Sequence, residues 1–90
     1  MSRHGGASAS SIVNNVITNP SSNENWIVAN VEKYNTVVFN TTAYTSSIKG
    51  HNKSSGNWED VTVASSINIS SYDALWWYWA QAVGQTAAFS

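Results

Sequence analysis

Cysteine is absent from these 90 residues, which excludes a disulfide framework and a thiolate metal site. Charge is scarce as well, because four basic and five acidic side chains give a net charge of −1. A chain without a basic patch is not expected to be steered toward nucleic acid or an anionic membrane. At this length only about 60–65 % of the unfolded surface is buried on folding, so we expect low stability and a need for partners.

Long apolar runs are also missing. No stretch approaches the ~18 consecutive apolar residues that cross a bilayer as a helix, so no transmembrane segment is expected. The segment after Arg3 contains glycine and serine (His-Gly-Gly-Ala-Ser) rather than an apolar run, which predicts no signal peptide and cytoplasmic synthesis. Residues 1–9 are small and polar and predict a disordered N-terminal arm, while residues 10–90 predict a single small domain.

Aromatic residues are what the chain has in abundance, and one run near its C-terminus reads Leu-Trp-Trp-Tyr-Trp. A helix over residues 72–83 would place Trp76 and Trp79 on one apolar face. Trp77 and Tyr78 would then point the other way, toward solvent or a partner. The helical spacing therefore divides the run into core residues and candidate contact residues.

Two flanking signals favour a helix for this run. Ser70 and Asp73 have the spacing of a capping box, and Gly84 stands where the helix would end. The alternative is a strand, in which Trp76 and Tyr78 share one side and the other two tryptophans of the run share the opposite side. A strand that is apolar on both sides must lie between other layers. We predict the helix.

The remaining chain predicts one more helix and a sheet. Residues 10–18 carry apolar residues at helical spacing and end before Pro20, which predicts a short N-terminal helix. From Trp26 to Ile48 the β-branched and aromatic content predicts strands, with Lys33 to Asn35 as a hairpin connection.

The period-2 alternation from Trp58 to Ile69 predicts a half-buried antiparallel strand. The predicted fold class is therefore α+β: a small antiparallel sheet of about three to four strands, a short N-terminal helix and a C-terminal aromatic-rich helix. An all-β, sandwich-like fold is the alternative.

Residues that could carry catalysis are few. His51 is the one histidine in the predicted domain, and Glu59 and Asp60 would point to opposite faces of a strand, so they cannot share a proton. We therefore predict a protein that is not an enzyme, with no catalytic residues, no metal ligands and no cofactor. A weak hydrolase that uses His51 is retained as a second alternative.

Binding through flat aromatic side chains is the predicted function. Trp26, Trp58, Trp77 and Tyr78 are the candidate ligand or interface residues. They predict a non-enzymatic binding module or a self-associating structural protein, whose aromatics cover a partner subunit, a neutral glycan or a lipid headgroup. The expected partner is a second copy or another chain, and nucleic acid is not expected because stacking binders also need a positive groove.

The order of segments also bears a family resemblance. A short apolar segment at Ile12 to Ile17 precedes Asn-rich strands at Trp26 to Tyr44 and a Ser-Gly-Asn-Trp turn at Ser55 to Trp58. This order resembles the start of actinoporin-like and aegerolysin-like membrane-active sandwiches, although those folds need a longer chain. The resemblance implies a membrane-active, pore-forming-like β-rich protein as the alternative function.

Overall fold

A computed structural model describes residues 11–18, 25–80 and 84–90, and every regular element in this part of the chain is a β-strand. The predicted arm at residues 1–9 lies outside the described residues. In chain order, the strands are β1 (Ser11–Val13), β2 (Val16–Thr18), β3 (Asn25–Asn30), β4 (Thr36–Phe39), β5 (Thr45–Asn52), β6 (Trp58–Val61), β7 (Ser66–Asn68), β8 (Tyr72–Trp79) and β9 (Thr86–Phe89).

The strands form two antiparallel sheets. Five strands in the order β1-β2-β9-β4-β7 make the first sheet, and four in the order β3-β8-β5-β6 make the second. The α+β prediction is therefore wrong, and the alternative, an all-β sandwich, is the fold class of the described residues. The described residues of each predicted helix form strands or turns, and the described part of the chain contains nine strands in two sheets, whereas one sheet of about three to four strands was predicted.

The pairing of the strands is nested. β5 pairs with β6, β4 with β7, β3 with β8 and β2 with β9, so the chain resembles one long hairpin rolled across two sheets. This is the arrangement of an eight-stranded jelly roll, here preceded by the short β1. The connection between β3 and β4 crosses between the sheets, so the hairpin predicted at Lys33 to Asn35 is wrong.

The core lies between the two sheets and is dominated by aromatic rings. Trp77 and Trp79 of β8 are completely buried, and their ring centroids are 5.7 Å apart. From the first sheet, the Phe39 ring approaches them edge-on at 5.8 and 6.4 Å, and Phe89 lies 6.3 Å from Trp77. These contacts join the sheets, and they supply the large apolar areas that a small domain needs.

The predicted N-terminal helix is a hairpin instead. Val13 pairs with Val16, and the two residues between them, Asn14 and Asn15, have φ angles of 53° and 64°. Positive φ at both central positions is the type I′ turn, which matches the twist of paired strands and favours asparagine. The β-branched residues on either side prefer strands for the same steric reason that they resist helices.

The aromatic run is strand β8, and the predicted helix is wrong. β8 lies between β3 and β5, which supply backbone hydrogen-bond partners on both of its sides. Leu75, Trp77 and Trp79 face the core, and alternation turns Trp76 and Tyr78 to the outer face. Gly84 has a φ of 88°, but it lies in the connection to β9 rather than at a helix end.

The alternating segment from Trp58 to Ile69 is not one strand. It divides into β6 and β7, which belong to different sheets, with residues 62–65 crossing between them. Val61 packs at the core margin, and Ile67 and Ile69 are buried in the core. Side chains do alternate along both strands, but the chain passes from one sheet to the other between them. Period-2 alternation in the sequence does not reveal such a crossing.

Candidate functional site

The outer face of the four-stranded sheet carries the candidate site. Alternation along β3 places Ile27 in the core and Trp26 and Val28 on the outer face. In the register between the strands, Trp26 lies opposite Tyr78, and Val28 lies opposite Trp76. Two neighbouring strands thus bring three large aromatic side chains to one surface.

We call Trp26, Trp76 and Tyr78 the aromatic face. The rings of Trp26 and Trp76 are stacked, with centroids 4.5 Å apart and an interplanar angle of 15°. Tyr78 also lies against Trp26, with ring centroids 4.5 Å apart and an interplanar angle of 48°. Trp76 is buried, with 6 % of its surface exposed, whereas Trp26 and Tyr78 are half-buried. Mutual packing holds these rings in fixed orientations.

A second group lies two strands away on the same face. His51 of β5 pairs in register with Trp58 of β6, and their ring centroids are 5.2 Å apart at 63°. Nδ1 of His51 is 2.7 Å from Oδ1 of Asp73, a hydrogen bond in which the carboxylate accepts when that nitrogen carries the proton. We call His51, Trp58 and Asp73 the β6 cluster.

An irregularity in strand pairing brings Asp73 to this position. The register between β5 and β8 shifts from His51 opposite Ala74 to Asn52 opposite Tyr72, so Asp73 is the extra residue of a β-bulge. A bulge redirects a side chain that would otherwise follow the alternation. The contact between His51 and Asp73 depends on this bulge, and strand periodicity alone would not predict it.

An ion pair lies between the two aromatic groups. Lys49 of β5 is opposite Trp76 on one side and opposite Asp60 on the other, and its ammonium contacts the Asp60 carboxylate. Asp60 is 86 % exposed, so this contact adds little to stability. Its effect on the surface is electrostatic, because the two charges neutralise one another.

The inner side of the same sheet end holds one perturbed group. Tyr72 is half-buried, and its burial raises its pKa above the ordinary value of 10.0. The negative charge of Glu59 and a hydrogen bond to it act in the same direction. The Glu59 carboxylate also accepts a hydrogen bond from the side-chain amide of Asn52, at 3.2 Å.

The structure brings some of the predicted site residues together and separates one. Trp26 and Tyr78 are in contact, and Trp58 lies on the same outer face beyond the Lys49 row. Trp77 is completely buried in the core, so its prediction as a ligand-facing residue does not fit its position. The difference follows from the helix prediction, which placed Trp77 opposite Trp79, whereas strand alternation puts both on the core side.

Sequence reasoning missed the outer position of Trp76 and two side-chain contacts on this surface. Trp76 was assigned to the core; it is buried, with 6 % of its surface exposed, but it lies on the outer face beside Tyr78, where the strand alternative placed it. The pairing of Lys49 with Asp60, and of His51 with Asp73, joins residues from different strands and leaves no local signal.

Comparison with known proteins finds no match to a family model, to a curated protein or to a solved structure. In the described ranges, no helix has the length and apolar character to cross a membrane. No group of three or more histidine and carboxylate side chains arranged to hold a metal ion occurs in that same part of the chain.

Proposed function

We propose that this protein is a non-enzymatic binding module for a neutral glycan, and that the outer face of the four-stranded sheet is its binding surface. The observation that carries the proposal is the arrangement of this face: the aromatic face at one side, the β6 cluster at the other, and Lys49 with Asp60 between them. Flat rings and hydrogen-bonding groups are thus distributed over one surface.

The chemistry of this surface suits sugar rings. A pyranose has an apolar face of C–H groups that packs on an indole, and hydroxyl groups at its rim that donate and accept hydrogen bonds. Trp26 and Trp58 offer indole rings, while Asp60 and His51 offer polar atoms beside them. Because Lys49 and Asp60 neutralise each other, the surface favours an uncharged ligand.

The dimensions favour a chain of sugars over a single one. Strands β3 and β6 are separated by three interstrand spacings, or about 14 Å. Trp26 and Trp58 lie on these outermost strands, so one ligand that contacts both has to extend across the sheet. The jelly-roll architecture occurs among lectins and also among capsid proteins, which is an analogy of fold and not of function.

Isothermal titration calorimetry against a panel of neutral oligosaccharides tests the proposal. Trp26→Ala and Trp58→Ala should each weaken binding by at least about two- to tenfold, since a lost aromatic contact removes about 0.5–1.5 kcal/mol in addition to the contribution of its buried area. Val38→Ser is the matched control, because Val38 is 46 % exposed on the other sheet and should leave binding unchanged. Unaltered affinity in both tryptophan variants would contradict the proposed surface.

A membrane-active role is the second candidate. The observation that favours it is that Trp26 and Tyr78 lie together, half-buried, on an outer sheet face of an all-β sandwich. Tryptophan and tyrosine prefer the boundary between headgroups and acyl chains, and a nearly uncharged chain suits zwitterionic lipid. Co-sedimentation with phosphatidylcholine vesicles and release of an entrapped dye test it. Vesicle binding that Trp26→Ala abolishes, without glycan binding, would favour this candidate over the first.

A further inference from the structure

The edge strands of the two sheets differ in how they are protected. An edge strand presents backbone N–H and C=O groups that can pair with another chain, and proteins limit this by short strands or by charge. β1 and β7 at the edges of the first sheet have only three residues each. β6 at one edge of the second sheet carries Glu59 and Asp60.

β3, the fourth edge, has none of these features. It has six residues, Asn-Trp-Ile-Val-Ala-Asn, with neither a charged residue nor proline. Its register with β8 is continuous over six residue pairs, without a bulge that would bend it. The longest regular edge strand in the described part of the chain is therefore the one without protection in its own sequence.

The backbone N–H and C=O groups of successive β3 residues point alternately toward β8 and toward the open edge of the sheet. The amide of Val31 donates to the carbonyl of Asp73 at 3.0 Å, which fixes the phase of the alternation. In an antiparallel pair every second residue exchanges hydrogen bonds with the partner strand. Ile27 and Ala29 are in phase with Val31, so the backbone groups of Val28 and Asn30 are directed to the edge.

We propose that this protein forms a symmetric homodimer in which β3 pairs with β3 of a second copy. The two strands run antiparallel, with Val28 on the two-fold axis, and the two four-stranded sheets become one sheet of eight strands. The proposal goes beyond the glycan surface and does not depend on it.

Self-complementarity of β3 identifies the second copy as the occupant. Residues directly opposite in an antiparallel pair share a face, so a symmetric register must match outer with outer positions. With Val28 opposite itself, Ile27 lies opposite Ala29 of the second copy, and Trp26 lies opposite Asn30. Both Ile27 and Ala29 are core residues, so a large and a small apolar side chain meet on the inner face. Each copy contributes one Ile27 and one Ala29 to these pairs, as a two-fold interface requires.

The dimer would also join the two candidate binding surfaces. Val28 and Trp26 lie on the outer face of β3, adjacent to Trp76 and Tyr78. Across the two-fold axis the aromatic faces of both copies become one continuous surface. A long neutral polymer could then contact both copies, and the second contact would be intramolecular.

Sedimentation velocity over a dilution series of the full chain tests the proposal. The native protein should sediment as a species of about twice the chain mass of 9.8 kDa. Val28→Lys should give a monomer, because two ammonium groups would lie opposite each other at the two-fold axis. Val38→Lys introduces the same charge at an exposed site on the other sheet and should remain dimeric.

A charge-reversal mixture separates edge pairing from misfolding. Val28→Glu alone should also be monomeric, whereas an equimolar mixture of Val28→Lys and Val28→Glu should recover the dimer, since opposite charges then meet. Recovery supports both the strand and the register. A native chain that stays monomeric throughout the series would overturn the proposal, and so would a Val28→Lys variant that remains dimeric. If the mixture fails to recover the dimer, Val28 does not lie on the axis.

Discussion

Gly50 lies within β5, and the ring of Tyr72 from β8 covers it. A Cβ atom placed on Gly50 would lie 2.6 Å from Cδ1, 2.7 Å from Cε1 and 2.8 Å from Cγ of Tyr72. Carbon atoms that are not bonded do not approach so closely, so the ring or the strand would have to move. Tyr72 packs against the core, which restricts where the ring can go. We therefore predict that Gly50→Ala destabilises the fold.

Two effects of opposite sign determine the size of the loss. Alanine is favoured over glycine in a strand interior by about 0.5–1 kcal/mol, mainly because it restricts the unfolded chain. Overpacking costs about 1–3 kcal/mol. The clash includes Cγ, the first atom of the ring, so rotation about the ring axis cannot relieve it. Overpacking should prevail, and the net loss should be about 1–2 kcal/mol, which for a domain of this size lowers Tm by about 4–16 °C.

A double-mutant cycle measured by urea denaturation tests this reasoning. In a Tyr72→Ala background the ring is gone, so Gly50→Ala should become neutral or stabilising by up to about 1 kcal/mol. The coupling free energy between the two positions should therefore exceed about 1 kcal/mol. If Gly50→Ala stabilises the native chain, or if the two changes are additive, the ring does not restrict this position.

Three further predictions concern the core, a connection and the pH dependence. Trp77→Ala should lower the free energy of unfolding by about 3–5 kcal/mol. The control Val38→Ala, at an exposed site, should change it by less than about 0.5 kcal/mol. Equal losses in urea denaturation would contradict the assignment of Trp77 to the core. The side-chain amide of Asn40 donates a hydrogen bond to the Gly84 carbonyl, and its oxygen accepts one from the Thr86 amide, both at 2.9 Å. Asn40→Ala should therefore lower the free energy of unfolding by about 1–2 kcal/mol. An unchanged Tm in thermal unfolding would show that these bonds add nothing. The raised pKa of Tyr72 means that the folded state retains a proton that the unfolded state releases, so stability should fall as pH rises above 10.0. Tyr72→Phe should reduce this alkaline loss, and identical pH profiles for the two proteins would refute the assignment.

The turn between β1 and β2 shows how far local sequence can be used. Asn14 and Asn15 adopt positive φ between paired valines, so a type I′ turn was available from the sequence as a signal. The prediction rested on the helical spacing of the surrounding apolar residues and did not consider this turn. Short apolar runs fit both periods, and here the steric preference of β-branched residues was the better guide.

The candidate site was predictable only in part. Trp26, Trp58 and Tyr78 were selected because flat aromatics in a polar, weakly charged chain are unusual, and they do lie on one outer face. Their arrangement required the pairing of β3 with β8 and of β8 with β5, which join residues far apart in the chain, whereas β5 and β6 are consecutive strands. The contact of His51 with Asp73 further required a bulge, and no local pattern specifies a bulge.

Composition by itself determined that this chain has no disulfides and carries little charge, because these properties do not depend on folding. Tertiary structure decided what the aromatic run became. Trp76 to Trp79 is apolar in both the helical and the extended conformation, so its local free energies differ little. β8 is a strand because β3 and β5 pair with its backbone on both sides and the other sheet covers its inner face. Only the extended conformation buries both Trp77 and Trp79 in this setting while their backbone groups stay paired.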